Sequence, residues 1–337
     1  MVNNFLVAGF TLTTVIFATP ALVVGQDIGH DGAAPRTLDG QPDIQGIYTF
    51  RTITPLQRPE ELKGKERLTA EEATIFEASE NKRLNRDLFD PIKGAPSAGY
   101  QPRSEGGVLS YNEFWYERGV ELTQDKRTSL IVSPEDGRVP LTDKARMTRA
   151  ERRKKSRDGF ADSHTDRSLA DRCIMGFNAG PPMVSGAYNN NVQIFQVPGY
   201  VVILNEMVHN TRIIPTDGRP HGDLRQWSGD SRGHWEGDTL VVETINFLRE
   251  TSFRSGVTTE DLRLIERFTR VSDGTLMYDV TIEDPNAWDR PWSYRIPMQQ
   301  NPMPLFEYAC HEGNYGLTNI LAGAREKEAA MEETSGR

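Results

Sequence analysis

Cysteine is scarce in this chain: Cys173 and Cys310 are the only two in 337 residues. They form no Cys-x-x-Cys pair, and His-x-His and His-Glu-x-x-His are missing too, so no standard zinc spacing is present. Neither a P-loop nor a dinucleotide-binding glycine fingerprint occurs, which leaves nucleotide cofactors without support. Excess positive charge is also lacking. The formal net charge is -9, no basic face dominates, and a nucleic-acid partner is disfavoured. One run, Arg149 to Arg157, is basic. It carries no interleaved aromatics for stacking on bases and reads as a solvated helix face. Ser231 sits in Gly-Asp-Ser-Arg-Gly, which has the outline of a nucleophile elbow but not its strand–turn–helix setting, so a serine hydrolase is not expected.

What is present begins at the N-terminus. Phe5 to Val24 is almost wholly apolar and uncharged, and Val23 and Gly25 fall where a signal peptidase reads. Pro20 and the threonines argue against a long spanning helix. Residues 1–25 are therefore expected to be a signal peptide, with the mature protein starting near Gln26, exported to the periplasm or secreted, and without a stable membrane span. A retained anchor is the alternative, since Met-Val-Asn-Asn lacks the usual positive charge. An oxidising compartment suits a Cys173–Cys310 disulfide. Two buried thiols or a nucleophilic cysteine are the other readings.

The mature chain is expected to be one domain, 26–337, with a helical and loop insertion around 53–187 and a C-terminal helix. Helical patterns cover Arg58 to Asp87, the charged stretch after Thr142, and Leu317 to Glu333. Strands are expected at Gly46 to Arg51, Ser129 to Ser133, Val192 to Gln196, Tyr200 to Met207 and Thr211 to Pro215. Others follow at Thr239 to Asn246, Arg263 to Val271, Thr275 to Glu283 and Trp292 to Pro297. Short turns join many of them, with Asp-Gly at Asp136-Gly137 and Asp217-Gly218. Hairpin spacing implies antiparallel pairing. The expected fold is mainly β, a lipocalin-like antiparallel β-barrel of about eight strands with peripheral helices, because closure removes exposed edges. A two-sheet sandwich is the rival.

Several strings stand out: L-D-G-Q-P-D-I-Q-G-I-Y-T-F, G-D-S-R-G-H-W-E-G-D-T-L-V-V-E-T-I-N-F, E-D-P-N-A-W-D-R-P-W and E-Y-A-C-H-E-G-N-Y. In these the chain resembles a broad group of exported bacterial proteins, over roughly Leu38 to Glu326. The resemblance implies export and a shared fold. It carries no catalytic assignment.

Most of the unusual chemistry lies between Gly199 and Phe247, which holds three of the six histidines. Glu206 and His209 stand at one strand end and Arg212 opens the next strand. In a tight hairpin they converge as an acid–base pair with a cation; a rim ion pair is the plainer reading. His221 follows a turn and joins them as a catalytic candidate. His234 and Trp235 sit among glycines and are candidates for substrate binding, with Trp235 as core filler the alternative. His311 follows Cys310 directly, so a disulfide would hold it rigidly as a catalytic group, with a surface histidine beside a structural bridge the plainer reading, and Tyr308 nearby would bind substrate. A zinc site drawn from His209, His221, His234, His311 and Glu206 is a lesser alternative. The leading expectation is an exported, cofactor-independent enzyme using histidine and carboxylate on a small, partly apolar organic molecule, of isomerase, lyase or cyclase type. The alternatives are a carrier of a hydrophobic ligand and a metal-assisted hydrolase.

Overall fold

A computed structural model describes residues 35–85, 113–157, 161–251 and 258–335. The Phe5 to Val24 segment, the cleavage point near Gly25 and the loop Pro91 to Gly107 lie outside them. In chain order the strands are β1 (Gly46–Thr49), β2 (Ile131–Ser133), β3 (Asn191–Val197), β4 (Tyr200–Asn205), β5 (Thr211–Pro215), β6 (Asp230–Glu236), β7 (Thr239–Ile245), β8 (Arg263–Ser272), β9 (Thr275–Glu283) and β10 (Trp292–Gln300). The helices are α1 (Ala70–Leu84), α2 (Asp143–Arg157) and α3 (Gly316–Ser335).

Alternation builds the sheet. Successive side chains of a strand point to opposite faces. Leu276, Tyr278, Val280 and Ile282 of β9 therefore enter one interior together with Trp292, Tyr294, Ile296 and Met298 of β10. All neighbouring strands pair antiparallel, in the order β5-β4-β3-β1-β10-β9-β8-β7-β6. β1 pairs with the end of β10, at Tyr48↔Gln300 and Thr49↔Gln299, and β2 pairs near its beginning, at Tyr294↔Ile131. The result is a nearly closed barrel, mainly β, with few helices.

The seam of the barrel lies between β5 and β6. Here the expectation needs correcting, because Asp230–Glu236, absent from the expected strands, is a strand paired with β7 along its whole length. Gly233 does not turn the chain; a Cβ there would lie 3.1 Å from both the Ile214 and Thr216 methyls. Its missing side chain lets β6 approach β5 closely enough to narrow the gap. The two Asp-Gly turns are as expected, with Gly137 and Gly218 at φ of 69° and 79°, a region that glycine enters without steric cost.

Large side chains fill the interior. Trp292, Tyr278, Tyr294, Phe50, Phe247 and Phe268 are all fully buried, each contributing roughly 1.5–3 kcal/mol by burial. The segment from Ala179 to Val184 enters the same core, with Met183 fully buried. α1 packs elsewhere, in a small cluster of Ile53, Leu68, Ala73 and Leu122. It starts at Thr69, whose side chain accepts from Glu72 N while Glu72 reaches back to Thr69 N, a reciprocal cap that satisfies two free amides. Among the described residues no helix is long and apolar enough to cross a membrane.

Candidate functional site

Beyond β10 the chain crosses β1 and β3 and reaches the β4–β5 hairpin before it enters α3. Asn301 N donates to Ile47 O (2.8 Å) and its amide donates to Asn191 Oδ1 (3.0 Å). The crossing segment is then held by the two residues expected to form an acid–base pair. Glu206 Oε1 accepts from Phe306 N at 2.9 Å, and its Oε2 accepts from the Asn191 amide at 2.7 Å. His209 Nε2 accepts from Tyr308 N at 3.1 Å. Glu206 is buried, so an unpaired carboxylate there would be costly, and both of its oxygens have partners. Val208 and His209 have φ of 51° and 49°. That conformation is strained for a β-branched residue and turns the imidazole toward the crossing segment. Glu206 and His209 thus hold the backbone amides on either side of Glu307.

Arg212 does not join them. It points into the barrel, where NH1 and NH2 donate to the two oxygens of Glu266 at 2.5 and 2.9 Å. Tyr278 Oη donates to Glu266 Oε1 at 2.6 Å and accepts from Met183 N at 3.1 Å. Tyr294 Oη donates to Met183 O at 2.6 Å. Burial works against the charge on Arg212, but the adjoining carboxylate outweighs it and holds the guanidinium pKa above its ordinary value. Burial first, and Glu266 second, push the Tyr278 phenol well above its ordinary value. The Arg212 Nε and both amide atoms of Asn205 have no hydrogen-bond partner among the described residues.

The Cys173–Cys310 disulfide is present, with its Cα atoms 5.6 Å apart. Beside it opens a cleft of about 450 Å³. Asp171, Glu307, Tyr308 and Asn314 line it, against apolar surface from Ala309 and Leu317. Three elements shape the cleft: the bridge, the first turn of α3, and the Asn314 amide, which donates to Asp171 O at 3.5 Å. The Tyr308 ring stacks on Tyr188, centroids 6.5 Å apart and planes 14° apart, and Tyr188 meets Phe177 edge-on. His311, beside the bridge, is exposed and does not line the cleft.

His221 and His234 decorate the outer face of the sheet. His221 lies between two carboxylates, Nδ1 3.2 Å from Asp230 Oδ2 and Nε2 3.4 Å from Glu243 Oε2. Arg232 pairs with Asp230, while Arg263 bridges Glu243 (2.6 Å) and Glu283 (2.7 Å). His234 contacts Glu236 at 3.1 Å on the exposed side. Trp235, next in the strand, points the other way and packs half-buried against the core. His209 and His311 lie apart from these two, and no three His, Cys, Asp or Glu side chains of the described residues are grouped to hold a metal ion.

Sequence reasoning missed Glu266, Tyr278, Asp171 and Glu307. For Glu266 a signal existed, because in L-I-E-R-F it shares its phase with Leu264 and Phe268 and so must face inward. For Asp171 and Glu307 there was none, since the cleft is formed by segments far apart in the chain. The fold and site together define an antiparallel barrel with a filled interior and a concave surface outside it, at a disulfide-pinned end. Compared with protein-family models and with curated proteins, the chain matches none.

Proposed function

We propose that the protein is an exported acid–base enzyme, of isomerase or lyase type, acting on a small, partly apolar organic molecule held beside the Cys173–Cys310 bridge. The cleft carries this reading. Its volume of about 450 Å³ lies within the roughly 300–1,000 Å³ of small-molecule sites. Ala309 and Leu317 offer apolar surface to a carbon skeleton. Glu307 is the group placed to remove a proton, and the Tyr308 hydroxyl is the donor placed for the charge that develops. Glu206 and His209 act as positioning residues, because they hold the backbone amides on either side of Glu307. Export is supported by the apolar N-terminal run, the disulfide and the resemblance to exported bacterial proteins. A lipocalin-like carrier needs an open barrel, and large side chains occupy this one.

The test is exchange with solvent. Incubating the protein with a small-molecule extract in deuterated water should yield a compound that is converted or gains deuterium. Glu307→Gln should slow this by about 10²- to 10⁴-fold at unchanged melting temperature. His209→Ala should slow it less, through loosened positioning of Tyr308. A ligand recovered unchanged and without deuterium would sink the enzyme reading and favour carriage.

A further inference from the structure

α2 is rooted in the body at its N-terminal end. Thr142 N donates to Ala287 O at 3.1 Å and Thr142 Oγ1 accepts from Ala145 N at 3.1 Å, while Ala145 is buried against the body. From Arg146 to Lys154 the helix is largely solvent-exposed. Lys and Arg take eight of its 15 positions and Asp and Glu two, in a chain whose net charge is -9. Arg146 has partners in Asp143 (3.5 Å) and Asp289 (4.0 Å). Lys144, Arg149, Arg153 and Lys154 face no carboxylate at ion-pair distance among the described residues.

The outer face is not purely cationic. At about 100° per residue, Met147 and Ala150 share it with Arg146, Arg153 and Lys154. Met147 is 66% exposed, an apolar side chain held in water among cations. We propose that α2 docks the protein peripherally on an anionic phospholipid bilayer, with Arg146, Arg153 and Lys154 on the headgroups and Met147 entering the headgroup–acyl boundary. Charge complementarity selects an anionic surface, because a cluster of four to eight basic residues on a helix is attracted to one. The exposed Met147 selects lipid over nucleic acid. A lipid boundary takes up a thioether, whereas single-stranded nucleic acid is bound through aromatic stacking, and α2 has no aromatic residue. The acidic remainder of the chain, repelled by the same membrane, turns α2 toward it. This docking does not depend on the reaction proposed for the cleft.

The experiment is co-sedimentation of the purified chain with vesicles. With phosphatidylglycerol mixed into phosphatidylcholine, the protein should pellet at low ionic strength and be released by high salt. With phosphatidylcholine alone it should stay in solution. Arg153→Ala with Lys154→Ala should lower the partition coefficient by about 25-fold, roughly fivefold for each cation removed. Met147→Ser should lower it by a smaller factor, and circular dichroism should show both variants folded. Three results overturn the proposal: no pelleting with the anionic vesicles, equal pelleting by the charge-deleted variant, or displacement from vesicles by a nucleic-acid duplex that binds α2 more tightly.

Discussion

The two faces of the barrel sheet use the same chemistry to different ends. Inside, Arg212 and Glu266 form a bidentate pair with side chains 3% and 0% exposed. Outside, Arg263 bridges Glu243 and Glu283 with side chains 41%, 37% and 32% exposed. Distances on the two faces are nearly the same. What differs is the solvent each pair displaces. A buried pair is tolerated only while both partners and their hydrogen bonds are intact, because either charge alone would be stranded in a low dielectric. An exposed pair competes with water on even terms, and its net effect is small. Inside, the charges tie β5, β8 and β9 to the Met183 segment through Tyr278, whereas outside they form a ladder across β7, β8 and β9 on the solvent side.

Glu266→Gln tests this comparison most severely. It leaves Arg212 charged without a counter-ion, and urea denaturation should show a loss of about 3–5 kcal/mol. Replacing both partners together, Arg212→Met with Glu266→Leu, should recover most of that loss. A single-variant loss no larger than that of an exposed pair would mean the interior is wetter than its burial implies.

Gly233→Val comes next and probes the seam rather than the charges. The added carbons meet Ile214 and Thr216, and overpacking of this kind costs about 1–3 kcal/mol. Hydrogen exchange should speed up first in β5 and β6, where the barrel is not hydrogen-bonded shut. Uniform destabilisation across all strands would argue that the seam is not a separate weak point.

The smallest effect belongs to the outer ladder and is read through pH. Partial burial pushes the Glu243 carboxyl up, but Arg263, and then His221, hold it below the ordinary carboxylate value. A lowered pKa in the folded state contributes stability that is fully present above the unfolded value and is lost as pH falls through the folded one. The melting-temperature gap between the native protein and Glu243→Gln should therefore exist at neutral pH and close below about pH 4. A gap that stays constant to pH 2 would dissociate Glu243 from the ladder.

Most of the architecture was readable in advance, for local reasons. T-L-M-Y-D-V-T-I-E alternates because one face of β9 is buried, and Thr69 precedes Glu72 by the three positions that a reciprocal cap requires. The disulfide followed from an even cysteine count and an apolar N-terminal run. The site was less readable. Glu206 and His209 stand at the hairpin as a site candidate, yet what they grip is backbone delivered from a segment 99 or more residues away.

Arg212 marks the limit most clearly. In Thr-Arg-Ile-Ile-Pro, hydropathy gives no reason to bury Arg212 while Ile213 is 65% exposed. Pairing decides it: Arg212 lies opposite Ile203 of β4, and both face inward. Its charge is admitted there because Glu266, 54 residues along the chain, brings the opposite charge from β8. Periodicity, caps and turn glycines act over a few residues, so they set the strands, the helices and the barrel class directly from the sequence. Which polar group faces which, and where a cleft opens, depends on contacts between distant segments, and only the closed tertiary structure supplies those.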